Sequence, residues 1–162
     1  MPRRAAPRLL GDGNVVVPAT CPAFTLRTAY EGASSRFRVF DEAGALAGFL
    51  VTLRAGKRLK VGLIMVEQKY RRCKLATRMY EAAATYACRH GHALQSDTLR
   101  SVASHAFWAK QAAKGRAKCA KRASAFEAPR NDGPHYGRGG CDYYRLTTCA
   151  TPVDLSGRTR RR

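Results

Sequence analysis

Short stretches in the first half of the chain carry apolar residues at every second position, the pattern of β-strands with one face in water. Residues 36–40 alternate charged and apolar side chains, and residues 46–53 follow them after a turn. Residues 59–67 are apolar almost throughout, which indicates a central strand covered on both faces. Two shorter stretches of β-type residues, 15–17 and 24–28, come first. The pattern predicts a meander of strands.

The apolar period then changes from two residues to about 3.6, the period of an α-helix. Within residues 73–90 the apolar positions are Leu75, Met79, Ala83, Tyr86 and Ala87. Gly91 is well placed to end this helix, and residues 93–96 form a short strand after it. Ser101 is a candidate N-cap for a second helix, which runs to Lys114. Strand, helix and strand in this order predict a βαβ unit with a parallel pair and a right-handed crossover.

Strand composition returns twice near the end of the chain, at residues 116–122 and 143–147. Between them, residues 128–140 are rich in Gly and Pro, and we expect a mobile loop there. This order of strands and helices predicts a mixed α/β fold.

Length and composition fit a single domain. The 162 residues can build a real core, and 45% hydrophobic residues argue against disorder along the whole chain. No apolar run comes near the roughly 20 residues of a membrane helix, so we expect a soluble, cytoplasmic protein with no membrane partner. We predict the domain over residues 15–150, between a flexible basic leader, residues 1–14, and a basic tail, residues 151–162.

The charge is concentrated in the middle of the chain. Lys and Arg number 30 against 11 Asp and Glu, which gives a formal charge of +19. Residues 57–122 contain 16 of the basic and 3 of the acidic residues, or +13. A field of this sign favours polyanionic partners such as nucleic acid or phosphorylated ligands.

Six cysteines are spread over the chain at irregular spacings: Cys21, Cys73, Cys88, Cys119, Cys141 and Cys149. Because no secretory segment is evident, we expect them to be reduced. The run Cys88-x-His90-x-His92 has metal-ligating residue types but lacks the paired spacing of structural zinc sites, so we expect no metal.

The junction between the central strand and the first helix has the chemistry of an anion site. A helix N-terminus presents unpaired N–H groups and a positive dipole end. Arg71, Arg72 and Lys74 surround that end, and each opposes the helix dipole by about 0.3–1 kcal/mol. A bound anion would offset this repulsion, whereas the alternative is a solvated basic face.

This junction resembles the acyl-CoA loop of the GNAT superfamily of N-acyltransferases, whose motif is Gln/Arg-x-x-Gly-x-Gly/Ala. The matching residues are Arg71-Arg72-Cys73-Lys74-Leu75-Ala76. The run Ser101-x-x-Ser104-x-x-Phe107-Trp108 is similar to the family's fourth-helix pattern, Asn/Ser-x-x-Ala-x-x-Phe-Tyr. The resemblance covers roughly residues 36–122. It implies an α/β (α+β) fold with a mixed, mostly antiparallel central sheet, a parallel splayed βαβ core and helices on both faces.

The resemblance implies an N-acetyltransferase with acetyl-CoA as co-substrate. The pyrophosphate would rest on backbone N–H groups of the loop, and the pantetheine arm would run between residues 63–67 and 93–97. An acceptor amine would attack the thioester directly in a ternary complex. The residues expected to bind acetyl-CoA are Met65, Val66, Arg71, Arg72, Cys73, Lys74, Leu75, Ala76, Thr77, Ser101, Ser104 and Trp108.

Several features depart from the family pattern. Lys74 stands at the first Gly of the loop motif, where Gly permits unusual backbone angles. Trp108 replaces the Tyr that protonates the leaving thiolate in many relatives, and an indole cannot do this usefully. Tyr143 and Tyr144 are alternative donors, while Tyr80 and other aromatic residues are expected in the core. The two helices usual between the first two strands are missing or very short, so the resemblance does not define the acceptor.

Three residues are candidates for the general base. Glu67 ends the central strand, Asp97 ends its neighbour, and His105 lies on the second helix with a suitable unperturbed pKa. The corresponding structural alternatives are a strand-end charge, a turn cap and a surface histidine. Three alternative functions stay open: a basic nucleic-acid-binding protein, an acyltransferase that acts on a nucleic-acid-associated acceptor, and a degenerate relative that binds CoA with little or no turnover. Both a monomer and a homodimer are compatible with the sequence.

Overall fold

The computed structural model describes residues 8–10, 15–17, 20–97, 100–120, 141, 143–147, 149 and 153–155. The strands are β1 Arg8–Leu10, β2 Val15–Val17, β3 Thr25–Glu31, β4 Ser34–Phe40, β5 Leu46–Ala55, β6 Arg58–Val66, β7 Ala93–Gln95, β8 Ala117–Ala120 and β9 Tyr143–Leu146. The helices are α1 Leu75–Arg89 and α2 Val102–Ala113, and a 3₁₀ turn, Gln68–Tyr70, comes before α1.

Seven strands form one sheet in the order β3-β4-β5-β6-β7-β9-β8. Among the described strands of this sheet, only the β6–β7 pair is parallel, and every other neighbouring pair is antiparallel. The predicted mixed, mostly antiparallel sheet is confirmed. A flexible leader was expected over residues 1–14, but strand β1 lies within it and pairs with β2 in a small antiparallel sheet. The loop predicted at residues 128–140 lies outside the described residues.

The core forms where α1 covers the central strands. On β4, Phe37 and Val39 are fully buried and alternate with the exposed Arg36 and Arg38, as the period of two requires. The buried residues of α1 are Leu75, Met79, Tyr80, Ala83, Ala84 and Ala87. The helix boundaries are therefore confirmed to within two residues, and four of the five residues of the predicted stripe are buried, while Tyr86 is half-buried.

A tight turn joins β3 to β4, with Gly32 in the left-handed region at φ 57°. The two helices usual at this point are therefore absent, as the sequence predicted. In the described part of the chain, both helices pack on one side of the sheet and touch through Tyr80, although helices on both faces were expected. The far face of β5 and β6 is consequently open, with Leu53 49% and Leu63 55% exposed.

The expectation of reduced cysteines is wrong. Three disulfides join Cys21 to Cys73, Cys88 to Cys149 and Cys119 to Cys141. The partners are 22 to 61 residues apart along the chain, so the spacing alone did not reveal them. The cytoplasmic location stays a prediction, without the support that reduced thiols were expected to give it.

Two further sequence expectations concern absences. Among the described residues, no helix is long and apolar enough to cross a membrane. In the same part of the chain, no group of three or more His, Cys, Asp or Glu residues is arranged to hold a metal ion.

Candidate active site

Strand β6 extends beyond its pairing with β7. It pairs with β7 only from Arg58 to Lys60, while its pairing with β5 continues to Val66. The Glu67 N–H donates to the Ala47 carbonyl of β5 at 2.8 Å, so by strand alternation the amide and carbonyl of Val66 face away from β5. The predicted splay of the parallel pair is therefore present, and it leaves backbone hydrogen-bonding groups on an open edge.

The loop from β6 to α1 carries a left-handed residue at the position of the motif's first Gly. Lys74 is the N-cap of α1, with φ 57° and ψ 26°, and it is the one non-Gly residue of positive φ in the described ranges. The loop thus keeps a backbone conformation that normally favours Gly. Lys74 makes no side-chain capping hydrogen bond, and no acidic residue lies in the first turn of α1. The first-turn amides are therefore available to an anion.

Two contacts fix this loop to the body of the domain. Tyr70, which is buried in the 3₁₀ turn, donates its hydroxyl to Asp41 Oδ2 at 3.0 Å. Hydrogen bonds from the Ala45 N–H, and then from Tyr70, lower the pKa of the Asp41 carboxyl against an opposing effect of desolvation. The Cys21–Cys73 disulfide holds the loop from its other side. The loop conformation is thus anchored before any ligand binds.

A cavity of about 480 Å³ lies between the open end of β6 and the first turns of α1 and α2. Six residues expected to bind acetyl-CoA line it, namely Met65, Val66, Arg71, Ala76, Ser101 and Ser104. The other lining residues are Ile64, Tyr80, Ala103 and Phe107. The volume falls within the range of about 300–1,000 Å³ that is usual for small-molecule sites.

The other loop residues expected to bind acetyl-CoA adjoin this cavity without lining it. Arg72 and Lys74 are exposed, and Thr77 is half-buried in the first turn of α1. Leu75 is buried in the core, and Cys73 is bonded in a disulfide. Backbone amides remain the means by which these positions can contact a phosphate.

The three candidate bases lie outside the cavity lining. Glu67 is exposed directly after β6, and Asp97 forms an ion pair with Lys60 at 3.7 Å. His105 is half-buried, with its ring 5.9 Å from that of Tyr144. Among the described residues, no carboxylate and no histidine lines the cavity. Their roles stay predictions.

Trp108 lies within the core. Its side chain is fully buried, with the ring edge-on to Tyr80 at 5.5 Å and stacked on Tyr144 at 6.4 Å. The indole is enclosed by other aromatic rings, and the expected contact of Trp108 with acetyl-CoA stays a prediction. Ser101 does cap α2 as predicted, since its hydroxyl accepts from the Ser104 N–H at 3.2 Å.

A pair of hydroxyl groups lines the cavity near Trp108, and the sequence did not reveal it. Tyr80 Oη lies 3.2 Å from Ser104 Oγ, and both residues line the cavity. Burial raises the pKa of the Tyr80 hydroxyl above its ordinary value of 10.0, and the hydrogen bond to Ser104 acts in the opposite direction. Ser104 stands where the family pattern has Ala, one helical turn before Trp108. The cavity wall therefore carries two hydroxyl groups close to the buried Trp108.

Solved structures with the same arrangement identify the fold. The ribosomal-protein-S18-alanine N-acetyltransferase from Escherichia coli matches with a TM-score of 0.50 at 17% identity, over 72% of this chain and 70% of that chain. The chain has the GNAT N-acyltransferase fold. No protein-family model matches the sequence, and no curated protein matches it either.

Two further structures with the GNAT fold match at lower TM-scores. Nourseothricin acetyltransferase is 21% identical with a TM-score of 0.47, over 71% of this chain and 63% of that chain. A proposed streptothricin acetyltransferase from Bacillus anthracis str. Ames, solved with acetyl coenzyme A, is 14% identical with a TM-score of 0.45, over 72% of this chain and 61% of that chain. This chain therefore spans less than two thirds of the length of either protein.

Proposed function

We propose that the protein is an N-acetyltransferase that transfers the acetyl group of acetyl-CoA to an amine. The observation that carries the proposal is the open edge of β6, which meets uncapped first-turn amides of α1 at a cavity of about 480 Å³. The amides suit the pyrophosphate, and the open strand edge suits the amide groups of the pantetheine arm. Arg71 lines the same cavity and adds a positive charge beside the phosphates.

Transfer then needs a single displacement at the thioester. The neutral amine attacks the carbonyl carbon, a C–N bond forms, the C–S bond breaks with its electron pair on sulfur, and the nitrogen releases its surplus proton to the solvent. A backbone N–H at the open edge, near Val66, can polarise the carbonyl as negative charge develops on oxygen. Holding both reactants in one cavity can supply about 7–11 kcal/mol of the barrier reduction.

We assign the protonation of the leaving thiolate to the Tyr80–Ser104 pair. Their hydroxyls are 3.2 Å apart at the cavity wall, so one proton can pass to sulfur from Ser104 while Tyr80 replaces it. The raised pKa keeps Tyr80 protonated throughout the neutral range. Glu67, exposed one residue beyond Val66, is the base that we propose for removing the proton of the acceptor amine.

The fold leaves room for a large acceptor, because the face of the sheet opposite to the helices is open. In the described structure a direct turn replaces the two helices that usually separate the first strands, so the amine can belong to a large molecule. The exposed apolar side chains Leu53 and Leu63 lie on this face, with Arg36 and Arg38 of β4 on the same side. We propose no more specific acceptor than a molecule that carries a primary amine.

Binding of acetyl-CoA tests the site directly. We expect Arg71→Gln combined with Arg72→Gln to weaken acetyl-CoA binding about tenfold in calorimetry, because two charges beside the phosphates are lost. The matched control is Lys110→Gln with Lys118→Gln, which removes two exposed charges from α2 and β8 and leaves affinity unchanged. Equal weakening by both double variants would show only the loss of a general positive field and would remove the site.

The proton donor needs a kinetic test. With any amine from a panel of small amines and lysine peptides that gives CoA release, we expect Tyr80→Phe to lower kcat about tenfold with KM unchanged. We also expect the fall of kcat that wild type shows at alkaline pH to be absent in Tyr80→Phe. Tyr86→Phe is the control, because Tyr86 stacks on Tyr30 away from the cavity. A wild-type pH profile in Tyr80→Phe would refute the assignment.

A further inference from the structure

A second cavity of about 480 Å³ lies at the end of α1 opposite to the acyl-CoA loop. The C-terminal turn of α1, the turn before β6, and strands β7 and β9 enclose it. Four of its lining residues are Lys57, Arg58, His92 and Arg145. Apolar lining residues are Ala84, Ala93, Leu94 and Leu146. We call this the basic cavity.

The charges of the basic cavity lack carboxylate partners within the described ranges. The ion pairs found there are Glu31–Arg36 and Lys60–Asp97, and neither reaches this cavity. Arg58 donates to the neutral Gln95 Oε1 at 3.3 Å. No Asp or Glu is among the described lining residues. The cavity therefore concentrates positive charge without a counter-ion from these parts of the chain.

Two buried nitrogen atoms in the same wall lack hydrogen-bond partners in the described structure. Arg145 lies with its guanidinium 5.9 Å from the Tyr143 ring centroid, and its Nε is buried without a partner. His92 Nδ1 is likewise buried without one. Atoms this buried do not contact the cavity, so the positive side chains that line it are the reason to expect an anion there.

We propose that the basic cavity is a second anion site, which binds the phosphate group of a small phosphorylated molecule. The guanidinium groups of Arg58 and Arg145 provide the planar donors that suit phosphate oxygens. The apolar wall suits an organic portion next to the phosphate, and the volume exceeds what a lone ion needs. The 15-residue helix α1 separates this cavity from the acyl-CoA loop by about 22 Å, so the two sites are distinct.

The charge-based alternative is general attraction of anions to a protein of net charge +19. That attraction would be spread over many exposed residues and would fall uniformly as any of them is neutralised. A defined site differs, because the lining residues matter and equally charged residues elsewhere do not. The exposed Lys110 of α2 lies outside the cavity and provides that comparison.

The test uses phenyl phosphate and inorganic phosphate as probes, at an ionic strength held constant with chloride. The background is the Arg71→Gln, Arg72→Gln protein, so that the acyl-CoA loop contributes little. Calorimetry should detect phenyl phosphate binding, with inorganic phosphate weaker. We expect Arg145→Gln to lower the affinity about tenfold and Lys57→Gln about threefold, with Lys110→Gln unchanged.

Three results would overturn the proposal. One is the same affinity in Lys57→Gln, Arg145→Gln and Lys110→Gln. Another is a loss of affinity in Lys57→Gln and Arg145→Gln that is seen for a short single-stranded DNA but not for phenyl phosphate. The third is no binding of either phosphate probe. If Arg145→Gln fails to fold, Lys57→Gln still decides, because Lys57 lies in an exposed turn. Acetyl-CoA affinity is measured separately and does not enter this outcome.

Discussion

The two ends of α1 meet their cavities in opposite ways. At the N-terminal end, the loop at Lys74 offers backbone amides and an open strand edge, and Arg71 is the one charged residue among the described residues that line the cavity. At the C-terminal end, the helix dipole disfavours an anion, so the side chains of the basic cavity must supply the attraction. The first site therefore depends mainly on backbone conformation, and the second depends on individual charged side chains.

A disulfide lies at each of these ends. Cys21–Cys73 fixes the loop before α1, and Cys88–Cys149 joins two lining residues of the basic cavity. Because each disulfide is local to one site, removing one should affect the two ligands unequally. This makes the disulfides the strongest way to test whether the two ends act independently.

Removing either disulfide has the largest expected effect on stability. The cross-links join residues 52 and 61 positions apart, so each should stabilise the fold by about 4 kcal/mol by restricting the unfolded chain. Cys21→Ser with Cys73→Ser, and Cys88→Ser with Cys149→Ser, should therefore show similar losses in urea unfolding. Acetyl-CoA affinity should fall only in the first pair and phenyl phosphate affinity only in the second. Equal losses of both affinities in both pairs would mean that the ends are not independent.

The second prediction concerns a substitution that distorts the backbone at the acyl-CoA end of α1 alone. A Cβ at Gly48 would lie 2.8 Å from the Met65 carbonyl oxygen and 3.3 Å from Met79 Cε. Since a backbone atom must move, Gly48→Ala should lower the free energy of unfolding by about 1–3 kcal/mol. Because β6 shifts, acetyl-CoA affinity should fall as well. Calorimetry and urea unfolding measure both effects.

Gly62→Ala is the matched control for this change. Gly62 lies in β6, the strand with which Gly48 of β5 pairs, but a Cβ at Gly62 would meet nothing closer than 3.7 Å, at the Val51 carbonyl oxygen. We expect its stability to stay within about 0.5 kcal/mol of wild type. Phenyl phosphate binding should be unchanged in both variants. A loss of phenyl phosphate binding in Gly48→Ala would contradict a distortion confined to one end.

The sequence predicted most of the fold, because burial on a regular backbone has a period. Charged and apolar residues alternate on β4, and the stripe of α1 matches its buried face, so both elements were found within two residues. The Ser101 cap was also predicted, since capping is local. The splayed parallel pair followed from the resemblance to GNAT enzymes and is confirmed.

The remaining features depend on contacts between distant parts of the chain. Tyr80 was expected in the core, and nothing in the sequence around it indicated that its hydroxyl meets Ser104, 24 residues away. The disulfides and the basic cavity also depend on contacts between distant parts of the chain. His92 and Arg145, for example, line one cavity only because β9 joins the sheet beside β7. No periodic pattern reports such encounters.

The prediction with the smallest expected effect separates the contribution of the backbone of the acyl-CoA loop from the contribution of its charge. Lys74→Gly removes both the ammonium and the cost of a left-handed conformation, about 1–2 kcal/mol for a non-Gly residue, against about 0.5–1 kcal/mol of added freedom in the unfolded chain. Lys74→Ala removes the ammonium alone, so the difference between the two variants reports the backbone. We expect the Gly variant to be more stable than the Ala variant by about 0.5–1 kcal/mol in urea unfolding. Because the loop keeps its path, acetyl-CoA affinity should be at least as high with Gly as with Ala. Equal stability of the two variants would mean that Lys74 is not held in the left-handed region, and the site at this end would then depend on its charges, as the basic cavity does.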